Sequence, residues 1–141
     1  MRRSYYEIYL HLVWRTKNSE PYLSPDVERD VCNIIQSKCK KFDTALLAVG
    51  NTEDHIHMVV SINPNLKISE LVAEIKGASS YYINKETSFT LYWQDGYGCL
   101  SIDKSSLSRV VTYVLKQKEH HGSEQDIQTG LEIIDPPAAP V

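Results

Sequence analysis

The stretch TALLAVGNTEDHIHMVVSI, residues 44–62, decides how this chain folds. Thr44 to Asn51 is a short apolar run ending in Gly50-Asn51 and reads as a central strand. Asn51-Thr52-Glu53-Asp54 carries turn chemistry, side chains that bond nearby backbone. His55 to Ile62 is a second strand, closed by Asn63-Pro64-Asn65. Ile56, Met58, Val60 and Ile62 form an unbroken apolar row suited to a helix layer, so His55 and His57 project together from the opposite face. Residues two apart in a strand have Cα atoms roughly 6.5–7 Å apart, a workable separation for two ligands on one metal. Alone, His-x-His is weak evidence. Two surface histidines fit it, as do cupin-like and hydrolase metal sites.

Upstream, Tyr5 to Arg15 alternates, with Ile8, Leu10, Leu12 and Trp14 on one side and Tyr9, His11, Val13 and Arg15 on the other. Ser24-Pro25-Asp26 supplies an N-cap, a proline at the first helical position and an early acid. A helix of about four turns follows, its stripe running through Val27, Val31, Ile34, Ile35, Lys38 and Phe42. Downstream, Ser69 caps a second helix bearing Leu71, Val72, Ile75, Ala78, Tyr82 and Ile83, and Gly96 to Ile102 reads as a fourth strand. Ser105 or Ser106 opens a third helix through Leu107, Val110, Val111, Val114 and Leu115, ending at Gly122. The order β-α-β-β-α-β-α predicts an α+β, ferredoxin-like split βαβ fold. Its four-stranded antiparallel sheet has helices on one face and the other face left open for a site, and a C-terminal helix is added. Residues 1–121 form the single domain; 122–141 are an acidic, proline-containing tail.

Composition is that of an ordinary globular protein, 42% apolar and 23% charged over 141 residues. No apolar stretch approaches the roughly 20 residues that span a bilayer, and the N-terminus reads as strand rather than signal peptide. Cys32, Cys39 and Cys99 are odd in number with no CxxC spacing, which suggests neither a disulfide framework nor a cysteine zinc site. A reduced cytoplasmic location is the simplest expectation. The formal charge of −3 does not advertise a nucleic-acid ligand. The tail holds four acids and no Lys or Arg, leaving 15 basic and 14 acidic residues in 1–121. Local patches matter more than the total.

Tyr113 and Gln117 lie four apart, hence on one helix face, with His120-His121 following. Leu107, Val111 and Val114 occupy a different stripe and can anchor the helix. A tyrosine at a core margin would also fit. With the His-x-His strand, however, these residues meet the needs of DNA strand transfer. A phenol, with a reference pKa near ~10, needs an electrophilic phosphodiester. A divalent ion held by two imidazoles and an amide oxygen polarises that phosphate. A phosphotyrosine ester also conserves the energy of the cleaved bond, so a 3′-OH can rejoin it.

The chain resembles the single-tyrosine HUH transposases of small insertion sequences, the IS200-like family, with REP-associated tyrosine transposases as a related branch. Five ordered blocks carry the resemblance over about residues 5–121: His11 to Lys17, Asp54 to Val60, Leu71 to Tyr81, Trp93 to Gly98 and Val110 to His121. The resemblance implies single-stranded DNA with hairpin ends as substrate and Mg²⁺ or Mn²⁺ as cofactor. It makes Tyr113 the nucleophile that becomes joined to a 5′ phosphate, and His55, His57 and Gln117 the metal ligands. A homodimer is expected, in which the tyrosine helix can complete the partner's site. Arg2, Arg3, Arg15, Lys17, Lys76 and Lys116 are the candidate DNA-binding cations, and Tyr81, Tyr92, Trp93 and Tyr97 can stack bases. Tyr82, on the apolar helix face, is assigned to the core, and His11 to the border of the site. A related nickase for replication initiation or repeat processing, and a non-catalytic ferredoxin-like nucleic-acid-binding module, are the alternatives.

Overall fold

A computed structural model describes residues 4–117. The elements are β1 (Ile8–Arg15), α1 (Pro25–Lys41), β2 (Ala45–Asn51), β3 (His55–Ile62), α2 (Ile68–Glu86), β4 (Gly98–Ile102) and α3 (Leu107–Leu115). The strands form one sheet in the order β2-β3-β1-β4, every neighbouring pair antiparallel. This is the expected split βαβ arrangement. Arg2, Arg3, His120, His121 and the 122–141 tail lie outside the described residues; the third helix does not run unbroken to Gly122, because α3 ends at Leu115 with Lys116 as its C-cap and Gln117 stands just past it.

Alternation along β1 and β3 builds the main core. Leu10, Leu12, Trp14, Ile56, Met58, Val60 and Ile62 meet the inner faces of α1 and α2, including Val27, Val31, Ile35, Leu71 and Ile75. Ser24 starts α1 as its composition dictates, accepting a hydrogen bond from Val27 N at 3.4 Å, with Pro25 leading the helix.

Four expectations need correction. Thr44 to Asn51 is not a central strand: β2 lies at the sheet edge, beside β3 alone. Its apolar content comes from burial between layers, since α3 packs on it as well as α1. Ser69 does not cap α2, which begins at Ile68 with Lys67 at the N-cap and no side-chain cap bond. Tyr82 is 41% exposed and is not a core residue. Finally, the sheet face opposite α1 and α2 is not left open. Ala48 and Val59 on that face meet Val110, Tyr113 and Val114 of α3 in a second, smaller apolar cluster.

Candidate active site beneath the C-terminal helix

His57 lies in β3 with Gly50 of β2 as its register partner on one side and Val13 of β1 on the other. Both imidazoles of the His-x-His strand are buried, His57 fully. Their ring centroids are 5.0 Å apart at 67°. They are thus adjacent and inclined to one another.

Each ring is held through Nδ1. His55 Nδ1 lies 2.7 Å from Asp54 Oδ1 and 2.8 Å from Thr52 Oγ1, and the Thr52 hydroxyl donates to the same carboxylate oxygen. A carboxylate accepts, so the proton belongs on Nδ1 and the lone pair on Nε2. His57 Nδ1 lies 2.7 Å from His11 Nε2, the two rings edge to edge and near coplanar, with centroids 4.9 Å apart at 23°. The tautomer in which His57 Nδ1 donates to His11 likewise places a lone pair on His57 Nε2. Such outer partners orient metal-binding histidines and fix their tautomer. His11 therefore belongs to the site and does not merely border it.

Helix α3 brings the remaining groups. Tyr113 is 1% exposed, its ring 6.0 Å from that of His57 at 79°. Gln117 is also buried, and its amide nitrogen donates weakly to Tyr113 O at 3.4 Å, which makes Oε1 the atom able to coordinate. Tyr113 and Gln117 do not stand on a stripe apart from the anchoring residues. Val110, Tyr113, Val114 and Gln117 share one buried face. The close fit depends on Gly50. A Cβ there would fall 1.8 Å from Val114 O and 3.4 Å from Gln117 Cγ, so only glycine lets α3 lie this close to the edge strand. Sequence reading singled out neither Gly50 nor Asp54 for the site, although Asp54 immediately precedes the two histidines.

Among the described residues no group of three His, Cys, Asp or Glu could hold a metal. The donors available here are two imidazoles and one amide, a set that suits an oxygen- and nitrogen-tolerant divalent ion with open positions for substrate. Burial pushes the Cys39 thiol up to about 11 and raises that of Cys99, which disfavours the thiolate that a metal would need at those two cysteines. Of the candidate cations, Arg15 is the register partner of His55, while Lys17 and Lys116 are exposed. Lys76 is half-buried and donates to Gln94 O at 2.8 Å and to Gly96 O, bracing a loop. Desolvation lowers its pKa, against the raising effect of Asp95. A surface concavity of about 490 Å³ is lined by Thr44, Ala45, Ser61 and Ile62 at the opposite end of β3 and takes no part in this arrangement.

Residues 4–117 match the model of the "Transposase IS200 like" family. The chain belongs to the IS200-like transposases. Among its relatives, the ISDra2 transposase TnpA of Deinococcus radiodurans is 21% identical over 81% of this chain and 86% of its own. The transposase for insertion sequence element IS200 of Salmonella typhimurium is 25% identical, covering 77% and 76%. Two solved structures share the fold. A transposase crystal structure from D. radiodurans R1 superposes with a TM-score of 0.64 at 21% identity, over 83% of this chain and 95% of that one. A REP-associated tyrosine transposase bound to a REP hairpin superposes at 0.69 with 16% identity, over 86% and 73%. Among the described residues of this IS200-like chain, no helix is long and apolar enough to cross a membrane.

Proposed function

We propose that this transposase cleaves and rejoins single-stranded DNA at hairpin-bearing ends through a 5′-phosphotyrosine intermediate on Tyr113. The observation that carries the reading is the adjacency of Tyr113, His57 and His55, with both histidines held through Nδ1 and with buried Gln117 packed over Gly50, the register partner of His57. His55, His57 and Gln117 would hold Mg²⁺ or Mn²⁺. When bound, that ion polarises the scissile phosphate and stabilises the departing 3′ oxygen.

The chain's own residues do the rest. The Tyr113 phenol loses its proton as its oxygen bonds to phosphorus; the P–O3′ bond breaks and the 3′ oxygen leaves as a hydroxyl. A second 3′-OH attacking the phosphotyrosine reverses these bonds and restores the phenol, so strands are joined without ATP. Asp54 and Thr52 keep His55 in its coordinating tautomer, and His11 does so for His57. Arg15, Lys17 and Lys116 contribute cationic character near the strand, and Arg2, Arg3 and Lys76 complete the proposed DNA-contacting set. Lys76 acts through the loop it braces. A hairpin as substrate is supported by the REP hairpin bound to the structural neighbour. A homodimer in the cytoplasm is the proposed working state.

The test is joining. Single strands carrying the hairpins that flank the protein's own gene, labelled at either end, are incubated with protein and Mg²⁺. Cleavage with a free 3′-OH, followed by appearance of a rejoined strand of new length, is the expected result. Cleavage with no joined product would favour the replication or repeat-processing nickase instead.

A further inference from the structure

Around one end of the sheet from the histidines lies a second concavity, of about 360 Å³, between α2 and residues 92–96. That volume falls within the roughly 300–1,000 Å³ of small-ligand sites. Its position is fixed by backbone pairing. Lys17 N donates to Tyr92 O at 2.9 Å, Gln94 N donates to Arg15 O at 3.0 Å, and Thr16 bridges to Trp93. Arg15 in turn pairs with His55. A strand of DNA leaving the metal-binding histidines across the end of β1 would meet this concavity within a few residues of protein.

Its walls combine three features that suit one nucleotide. The Tyr92 ring is 51% exposed yet braced edge-on by Tyr22 at 6.4 Å and 71°, so a stacking surface is already ordered. Lys17 is exposed at the rim, and the Lys76 ammonium is pinned on loop carbonyls in the wall; Asp95 offsets one of these charges. The third feature is Gly77. A helix interior disfavours glycine relative to alanine, and here packing gives no reason for it, because a Cβ on Gly77 would meet no protein atom within 4 Å. The bare turn opens into the concavity, where it admits the close approach of a ligand's sugar or backbone.

We propose that this concavity is a subsite for one unpaired nucleotide of the substrate strand, its base stacked on Tyr92, its phosphate beside Lys17 and its sugar against Gly77. An unpaired base offers its face for such stacking, whereas a base inside a duplex does not, so the subsite reads single-stranded character next to the cleavage site. The inference rests on the single-strand reading proposed above.

The experiment compares two labelled probes with the full-length protein: a DNA hairpin without tails, and the same hairpin with unpaired oligo-dT tails of about 12 nucleotides on both ends, within the site sizes of single-strand binders. The readout is the ratio of tailed to tailless affinity, with Tm recorded for each variant. In Tyr92→Ala and Gly77→Leu that ratio is expected to fall about 10-fold, and Tyr92→Phe should preserve it. Gly77→Ala should lower the ratio while keeping Tm at or above wild type. Unchanged ratios in Tyr92→Ala and Gly77→Leu, in a protein that still gains affinity from the tail, would overturn the subsite and leave the nuclease reading standing. A wild-type chain that gains nothing from the tail and forms no covalent adduct would overturn both.

Discussion

His11 and His57 lie edge to edge with their rings near coplanar and share a 2.7 Å hydrogen bond on the α3 side of the sheet, a polar contact that packing alone does not require. If its role is to hold His57 in the metal-binding tautomer, His11→Phe keeps a ring in place but removes the acceptor. Mn²⁺ affinity, followed by electron paramagnetic resonance, is then expected to fall about 10- to 100-fold. Unchanged affinity would assign His11 to packing alone. Much of the site is visible in the sequence at this scale. The period of a strand puts His55 and His57 on one face, and the period of a helix does the same for Tyr113 and Gln117. The partnership of His11 is not visible, because it depends on register. His11 pairs across the strand with Val59 and reaches His57 only diagonally, which alternation within β1 cannot specify. Nor does a Tyr113–Gln117 spacing reveal that both side chains are buried against the sheet.

At the scale of elements, the seating of α3 on β2 governs where the tyrosine lies. Gly50→Ala would drive a methyl group into the Val114 carbonyl, and a backbone atom cannot swing aside as a flexible side chain can. A loss of stability of at least about 1–3 kcal/mol is expected from such overpacking. Strand cleavage should fall further than the folded fraction does, because Tyr113 and Gln117 move with the helix. Thermal melts and cleavage rates on the same preparation separate the two; a variant with wild-type rate would show that α3 need not sit here. Helices α1 and α2 are joined by Lys38 and Lys41, both on Glu74 Oε1 at 3.2 and 2.6 Å. The hydrogen bond from Lys41 holds the Glu74 carboxyl below its ordinary value of 4.5. A depressed folded-state pKa contributes stability that is present above the unfolded value and lost as pH falls through the folded one. The Tm difference between wild type and Glu74→Gln should therefore be small at pH 7, shrink below about pH 4.5 and weaken with salt. A difference that grows on acidification would contradict this. Periodicity and capping residues revealed the order of the elements and the bounds of α1. They could not place β2 at the edge, because an apolar run reports burial of both faces and here α3 supplies the second cover.

For the whole molecule, Tyr113 packs beside the His57 of its own sheet among the described residues, the contact from which cleavage in cis is predicted. A mixture of Tyr113→Phe and His57→Ala proteins should then cleave no better than either alone, even as a dimer. Recovery toward a quarter to a half of wild-type activity would show that the tyrosine helix works in the partner's site. The net charge of −3 does not report local cationic patches, and the proposed chemistry depends on buried, adjacent groups that total charge does not report either. That central claim is tested most directly by one denaturing gel. Protein, Mg²⁺ and a labelled single strand bearing the hairpin ends beside its own gene are mixed, and the label is followed into protein. A covalent protein–DNA adduct in wild type, absent from both Tyr113→Phe and His57→Ala while both variants still bind the hairpin, is the result expected. An adduct that persists in Tyr113→Phe, or cleavage by wild type with no adduct at all, would contradict the account.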